Sequence, residues 1–140
     1  DSLPITDERM TRFWITLGQG TDFVLSCLAN MRGGEIFVPR VPSMRIVDVA
    51  TAIAPDRSHR AVGIRPGEKL HEVLVTADEA RNTLRLSDRY VIEPMFDFWE
   101  AGRDRPAGAE PLDEAFSYAS DTNDEWLDTD SFNALFETET

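Results

Sequence analysis

Short apolar runs recur through the first two thirds of the chain, separated by glycine, proline and charged residues. The runs at residues 3–5, 10–15, 35–38 and 61–64 alternate polar with apolar positions or are rich in β-branched and aromatic residues, which predicts strands. Pro39 is expected to stop the third strand, because proline cannot donate to a ladder. In the last run, Val62 and Ile64 are expected to be buried.

Two segments between these strands have a helical period. The first covers residues 17–31, and its apolar stripe is expected to face the core before Gly33-Gly34 caps the helix. The second opens at Pro42 with Ser43 as its N-cap and ends at Pro55. The first stripe comprises Leu17, Val24, Leu28 and Met31, widened by Phe23 and Cys27, and the second comprises Ile46, Val49, Ala50 and Ile53. Strands and helices therefore alternate over residues 1–65, which predicts an α/β fold.

The pattern is less regular after residue 69. Residues 70–75 fit either a helical turn or a strand, residues 77–82 fit a short helix, and residues 83–86 and 90–92 fit a hairpin around Ser87-Asp88. Residues 100–114 mix glycine, proline and charge, which predicts a loop or partial disorder. A last helix is expected to start near Thr129-Asp130, which is a good N-cap, and to dock a small apolar face on the body. That face comprises Phe132, Leu135 and Phe136.

The net charge of −12 is concentrated at one end of the chain. Residues 1–95 contain 12 basic and 13 acidic side chains, whereas residues 96–140 contain 2 and 13. An acidic C-terminal third argues against a nucleic-acid binder, but 11 arginines in the first 95 residues leave local anion sites possible. No apolar run approaches the roughly 20 residues of a membrane span, and there is no signal peptide, so we expect a cytoplasmic protein.

Residues 63–72 contain the strongest local candidate for a binding site. Pro66-Gly67 predicts a turn directly after a strand, which places Arg65 and Glu68 on a stiffened loop. An arginine in that position suits a phosphate or carboxylate, because its planar guanidinium donates two parallel hydrogen bonds. The alternative is a salt-bridged surface turn, since exposed pairs of this kind are common.

Residues that carry chemistry elsewhere are sparse. There is no glycine-rich dinucleotide turn and no Walker loop, and the single cysteine is expected to be a buried structural thiol. His71 is expected to be structural or exposed rather than a catalytic base, and neither histidine belongs to a metal-ligand cluster. Ser117, Ser120 and Asp121 do not predict a catalytic triad, because nothing places a histidine beside them. We therefore expect no catalytic, cofactor-binding or metal-binding residues in this chain.

Five spaced motifs carry a family resemblance. They are TDERMTRFW (residues 6–14), GGEIFVP (33–39), PSM (42–44), GIRPGEKLHE (63–72) and FSYASDTN (116–123). In this order they closely resemble the C-terminal portion of the inverting UDP-N-acetylglucosamine 4,6-dehydratases, members of the extended short-chain dehydrogenase/reductase superfamily. The resemblance covers nearly the whole chain, and it implies the substrate-binding part of such an enzyme.

The resemblance implies a parent enzyme that uses NADP. Such an enzyme oxidises C4 of the sugar, eliminates water across C5–C6 and returns hydride at C6 with inversion at C5, in pathways for surface glycans and nonulosonic acids. The family's Rossmann nucleotide-binding part and its catalytic Asp, Lys and Tyr lie N-terminal to everything in this chain. The chain therefore reads as a fragment that is expected to be inactive alone.

Four substrate contacts carry over from the matching motifs. Thr6 resembles the family residue that meets the nucleotide portion of the substrate. Arg65 resembles the residue at the pyrophosphate, and Glu68 resembles one that binds a sugar or ribose hydroxyl. Arg12 resembles a second phosphate arginine found in the wider superfamily. Two arginines on one diphosphate are chemically reasonable, because charge-assisted hydrogen bonds to an anion are strong.

The resemblance also implies domains and partners. We expect a substrate-binding domain over residues 1–95 and an acidic C-terminal extension over 96–140 whose short terminal helix packs on the body. The expected partners are a UDP-sugar, the missing Rossmann domain and further copies in a homo-oligomer, with no nucleic acid and no membrane. Two other hypotheses remain open, namely a non-catalytic UDP-sugar-binding or assembly module and part of a related UDP-sugar epimerase.

Overall fold

The computed structural model describes residues 2–95 and 105–137, which form a mixed α/β structure. The helices are α1 (Leu17–Asn30), α2 (Ile46–Ile53), α3 (Ala77–Ala80) and α4 (Thr129–Glu137). The strands are β1 (Leu3–Ile5), β2 (Thr11–Phe13), β3 (Ile36–Pro39), β4 (Ser43–Arg45), β5 (His59–Ala61), β6 (Val73–Val75), β7 (Thr83–Arg85), β8 (Arg89–Ile92), β9 (Glu110–Pro111) and β10 (Tyr118–Ala119). The alternation predicted for the first 65 residues is confirmed in its main elements.

The chain forms two compact units. The first unit contains the described residues of 1–18, 41–73 and 119–140, and the second contains those of 19–40 and 74–118. Each unit therefore draws on both the first 95 residues and the acidic region that follows. The division into domains at residue 95 stays a prediction.

The first unit is built on two strand pairs. β1 and β5 are parallel, with Leu3 opposite His59, and β2 and β4 are antiparallel, with Arg12 opposite Met44. Parallel neighbours need a long connection, and here the 53 residues between β1 and β5 include β2, β4 and α2. β2 thus lies beside β4, and the Thr11 amide at the start of β2 donates to the Leu70 carbonyl (3.2 Å), in the segment that precedes β6.

The core of the first unit lies between α2 and α4. Met44, Val49 and Phe132 are buried together, and the ring of Trp14 meets that of Phe132 edge-on at a centroid distance of 4.8 Å. This geometry suits the quadrupoles of two aromatic rings. The terminal helix therefore contributes a fully buried side chain to the body. The side chain of Phe136 lies outside the described residues.

The prediction that Ser43 caps a helix is wrong. Ser43 starts β4, and its backbone is used in hydrogen bonds to the C-terminal segment: its amide donates to the Glu125 carbonyl (2.8 Å) and its carbonyl accepts from the Leu127 amide (2.9 Å). These long-range bonds outweigh the local preference of serine for a cap. The helix begins three residues later, at Ile46, and it ends before Pro55 as predicted.

The cap of α4 also differs from the prediction. Asp128, and not Thr129 or Asp130, accepts a hydrogen bond from the Ser131 amide at Oδ1 (2.8 Å). This bond satisfies one of the free amides of the first helical turn. The same hydrogen bonding from Ser131 lowers the pKa of Asp128.

The second unit contains a four-stranded antiparallel sheet in the order β3-β8-β7-β9. The hairpin of β7 and β8 is confirmed, with Leu84 opposite Val91. Pro39 is the last residue of β3 and not a residue beyond it, which an edge strand tolerates. β9 forms within residues 105–114, which were expected to be a loop, and residues 100–104 lie outside the described part. The ambiguous stretch at 70–75 ends in a strand, β6.

The predicted helix over 17–31 is confirmed as α1, but its apolar stripe does not face a core. Leu17, Val24, Leu28 and Met31 are 52–82% exposed. The half-buried side of α1 contains Phe23, Ser26 and Cys27, which contact Arg89, so the expected buried thiol is only partly covered. α1 ends at Asn30, before the positive-φ pair Gly33-Gly34, which instead leads the chain toward β3.

We predict that Phe132→Ala lowers the free energy of unfolding by about 3–5 kcal/mol, because it leaves a cavity beneath Trp14 and Met44. Urea denaturation followed by circular dichroism measures the change. Asn133→Ala, on the exposed side of the same helix, serves as the control and is expected to change stability by less than about 0.5 kcal/mol. Equal stability of the two variants would show that α4 does not pack as described.

Candidate anion-binding site

The candidate site begins where β1 and β5 end. The predicted strand over 61–64 is wrong beyond Ala61, where β5 ends. Val62 and Ile64, which were expected to be buried, are 49% and 43% exposed. The backbone still follows β1 for two more residues, since the Val62 amide donates to Ile5 (2.8 Å) and the Gly63 amide donates to Thr6 (3.1 Å). Thr6 therefore lies beside the start of the loop that contains Arg65.

The Pro66-Gly67 turn is confirmed and is closed by two hydrogen bonds. The Glu68 amide donates to the Arg65 carbonyl (3.0 Å), and the Arg65 amide donates to Glu68 Oε2 (3.1 Å). Gly67 has a φ of +82°, which glycine adopts without strain. The carboxylate of Glu68 thus shapes the turn that presents Arg65.

The guanidinium of Arg65 is exposed at the tip of this turn. Within residues 2–95 and 105–137 it forms neither an ion pair nor a side-chain hydrogen bond. The salt-bridged surface turn is therefore not what forms here, because Glu68 bonds the backbone of Arg65 rather than its side chain. The arrangement leaves the two-pronged donor of Arg65 available for an oxyanion.

Arg12 has a different environment. Its Nη1 donates to the carbonyls of Thr11 (2.7 Å) and Leu70 (3.1 Å), its Nη2 donates to the Lys69 carbonyl (2.9 Å), and its Nε lies 3.5 Å from Glu72 Oε1. Four of its five N–H groups are thereby directed at protein acceptors. The main role of Arg12 visible in the geometry is to fasten residues 69–72 to β2, directly after the turn.

A buried polar chain fastens the same segment from the other side. Ser120 and Thr11 are 0% and 4% exposed, and their hydroxyl oxygens are 2.6 Å apart. Thr11 Oγ1 lies 2.8 Å from Nδ1 of His71, and Ser120 Oγ accepts from the Glu72 amide (2.9 Å). The Ser120 amide in turn donates to the Glu72 carbonyl (2.8 Å).

The expectation that no histidine lies beside Ser120 and Asp121 is wrong. His71 is linked to Ser120 by way of the Thr11 hydroxyl, and its Nε2 lies 3.9 Å from Oδ2 of Asp121. The group is still not a catalytic triad, because Ser120 is fully buried and bonds Thr11 rather than the imidazole. No local pattern could reveal this cluster, since Thr11 and Ser120 are 109 positions apart.

Asp7 and Arg9 form a separate pair next to Thr6. Two hydrogen bonds from the Arg9 side chain and one from its amide lower the pKa of Asp7 to about 2. Because the folded-state pKa is depressed, the stabilising contribution of this pair is present above pH 3.8 and is lost as the pH falls toward 2. Asp7 is therefore ionised near neutral pH, and it neutralises Arg9 rather than Arg65.

The second unit contains a cavity of about 390 Å³ beside Arg89. Nη2 of Arg89 lies 2.6 Å from Oδ2 of Asp88, and this hydrogen bond lowers the pKa of the Asp88 carboxyl. The guanidinium also donates to the Ser26 hydroxyl and stacks over the ring of Phe23. None of the four site residues predicted from the sequence lines this cavity. Arg89 is committed to its protein partners, in contrast to Arg65.

No cluster of histidine, cysteine and carboxylate side chains among the described residues could hold a metal ion. None of their helices is both long and apolar enough to cross a bilayer.

Comparisons with known proteins agree with the sequence resemblance. A family model described as "Polysaccharide biosynthesis protein" matches residues 1–94. The UDP-N-acetylglucosamine 4,6-dehydratase (inverting) of Campylobacter jejuni serotype O:2 is 46% identical over 129 residues, covering 89% of this chain and 39% of that protein. A UDP-glucose 4-epimerase of Rickettsia canadensis is 35% identical over 97 residues, covering 66% of this chain and 28% of the epimerase.

A solved structure supports the fold. The X-ray structure of Pen from Bacillus thuringiensis aligns with a TM-score of 0.81 at 24% identity, covering 99% of this chain and 41% of that one. This similarity confirms the α/β architecture. The chain spans 39% of the length of the Campylobacter dehydratase, so the matched region is only a part of such proteins.

We predict that Arg12→Lys loosens the segment at residues 69–72, because a single ammonium cannot replace a guanidinium that bonds three carbonyls. Losing about 2 kcal/mol of local stability should speed amide exchange at Thr11 and Glu72 roughly 30-fold. Hydrogen exchange followed by NMR measures this. Arg60→Lys, on exposed β5, is the control, and identical exchange in both variants contradicts the role given to Arg12.

Proposed function

Because the chain belongs to the Polysaccharide biosynthesis protein family, we propose that it is the sugar-nucleotide-binding part of an inverting UDP-N-acetylglucosamine 4,6-dehydratase. The observation that carries the proposal is the exposed guanidinium of Arg65, which forms no ion pair or hydrogen bond with the described residues, on a turn closed by Glu68. The 46% identity to the Campylobacter dehydratase supports the substrate class. The site falls within a motif of the resemblance, residues 63–72.

Arg65 is the proposed ligand of the pyrophosphate. A diphosphate offers paired oxygens that match the guanidinium fork, and the fixed turn reduces the entropy lost on binding. Glu68 uses Oε2 to hold the turn, and Oε1 accepts no hydrogen bond from the described residues. We assign Oε1 to a sugar or ribose hydroxyl.

Thr6 and Arg12 complete the proposed contacts. The Thr6 carbonyl accepts a hydrogen bond from the Gly63 amide, so the Thr6 backbone holds the base of the loop. We assign the Thr6 side chain to the nucleotide portion of the substrate. Arg12 retains one N–H of Nη2 beyond its protein bonds, so any contact with phosphate is secondary to its hold on residues 69–72. The diphosphate is remote from C4–C6, and its binding energy positions the sugar for reaction.

In the proposed parent enzyme the sugar is oxidised at C4, loses water across C5–C6 and regains hydride at C6 with inversion at C5. NADP, bound by a Rossmann half outside this chain, is the proposed acceptor and donor of that hydride. The catalytic Asp, Lys and Tyr are assigned to the same half. This chain binds and orients the substrate, and by itself it is expected to be inactive.

The remaining parts of the proposal concern the setting of the protein. We assign substrate binding to residues 1–95 and an acidic extension to 96–140, in a cytoplasmic homo-oligomer that serves surface-glycan or nonulosonic acid synthesis. The Rossmann half is the proposed partner. The exposed apolar side chains of α1 support a larger assembly, because stripes of this kind are usually covered.

We predict that Arg65→Ala weakens binding of UDP-N-acetylglucosamine at least about tenfold, because it removes charge-assisted hydrogen bonds to the diphosphate. Isothermal titration calorimetry of the 140-residue chain measures the affinity. Arg57→Ala removes the same charge from an exposed turn and is expected to bind within twofold of the wild type. Equal affinity of the two variants would overturn the assignment of Arg65.

A related epimerase is the second candidate, favoured by the match to the Rickettsia protein. We predict that the chain, combined with its Rossmann half and NADP, converts UDP-N-acetylglucosamine into a product lighter by one water. Mass spectrometry detects that loss, whereas an epimerase product keeps the mass of its substrate.

A non-catalytic binding module is the third possibility. Reading the gene upstream of Asp1 tests it, because a glycine-rich strand–turn–helix there supports the enzyme and its absence supports the module.

A further inference from the structure

The buried chain of Thr11, Ser120 and His71 has a direction that its donors and acceptors fix. The amide of Glu72 can only donate, so Ser120 Oγ must accept from it. The proton of Ser120 then needs its own acceptor. In the part of the chain that the structure describes, that acceptor is Thr11 Oγ1, at 2.6 Å.

The same count fixes the tautomer of the His71 ring. Since Thr11 accepts from Ser120, its single proton goes to Nδ1 of His71, at 2.8 Å. Nδ1 is then unprotonated, and the ring proton is on Nε2, which faces the carboxylate of Asp121 at 3.9 Å. With a proton at Nδ1, Thr11 Oγ1 must accept from His71, and either the Ser120 proton or the Thr11 proton is then left without an acceptor at a buried site, which costs free energy.

The chain ends on the backbone of the candidate site. Ser120 and Glu72 bond each other in both directions, from amide to hydroxyl and from amide to carbonyl. Arg12 and the Thr11 amide hold the carbonyls of Lys69 and Leu70. Residues 69–72 are therefore fixed at four backbone groups, immediately after the Arg65–Glu68 turn.

We propose that Thr11, Ser120 and His71 are positioning residues that hold the Arg65–Glu68 turn ready for a nucleoside diphosphate, through a one-way hydrogen-bond chain. None of the three touches the ligand in this proposal. They act by reducing the motion of the segment that follows the turn, so less order is lost on binding. The effect on affinity rests on the proposed function, whereas the direction of the chain does not.

The first test reads the direction by the ¹⁵N NMR spectrum of the imidazoles. The chain contains two histidines, so the His71 signals are assigned by their loss in His71→Asn. We expect an unprotonated Nδ1 and a protonated Nε2. The opposite tautomer at His71 overturns the proposal, because Thr11 then has no acceptor at Nδ1 and the one-way order is broken. A residue that only fills space has no reason to fix a tautomer.

The second test interrupts the chain. Thr11→Val keeps the side-chain shape and removes the hydroxyl, while Thr11→Ser restores the hydroxyl. With UDP as the probe, we expect Thr11→Val to bind about fivefold more weakly, the equivalent of one hydrogen bond, with faster exchange of the Glu72 amide. Thr11→Ser should return both values to within about twofold of the wild type. If Thr11→Val does not fold, Ser120→Ala is measured in its place.

The outcomes separate this proposal from the function on which it depends. Unchanged affinity in Thr11→Val overturns the positioning role, whether or not exchange at Glu72 speeds up. A wild-type chain that does not bind UDP overturns the proposed function. In that case two results still support the hydrogen-bonded residues Thr11, Ser120 and His71 as the anchor of the turn. They are the expected tautomer of His71 and faster exchange of the Glu72 amide in Thr11→Val.

Discussion

The candidate site depends on the fastening of residues 69–72 to β2. A guanidinium shared among three backbone carbonyls holds this segment on one side, and a buried hydroxyl pair holds it on the other. Each bond is modest, but a loop with four anchored backbone groups has little freedom left to lose. The turn that presents Arg65 is therefore held by its own hydrogen bonds and by the anchored segment that follows it, while the Arg65 guanidinium forms no ion pair with the described residues.

The two arginines of the site illustrate how context divides one residue type into two roles. Arg12 lies on β2, and its guanidinium donates hydrogen bonds to the backbone carbonyls of Lys69 and Leu70, so most of its donors are used within the protein. Arg65 lies beyond the last β5 residue, where Glu68 takes the backbone amide and leaves the side chain to solvent. Arginine suits both positions because its five donors stay charged at any working pH.

Local patterns predicted the elements whose stabilisation is local. α1, α2 and the β7–β8 hairpin lie where the periodicity places them, and the Pro66-Gly67 turn forms as its residues demand. The patterns failed where distant segments decide. Ser43 joins a strand because residues 125 and 127 supply its partners, and the stripe of α1 is exposed although its period is that of a buried helix.

The same distinction applies to the site. Arg65 and Glu68 could be singled out from their sequence, whereas the Thr11–Ser120–His71 chain could not, because its members come from three remote segments of the chain. The acidic C-terminal third also contributes to the structure: Phe132 fills the core of the first unit and Ser120 anchors residue 72 of the site.

The most direct test of the account is to map where a nucleoside diphosphate binds, by recording amide chemical-shift changes as UDP is added to ¹⁵N-labelled protein. The account predicts that the largest changes fall at Thr6 and residues 63–72, with the sheet around Arg89 nearly unaffected. Changes centred on the Arg89 cavity, or no localised changes at saturating UDP, would contradict it.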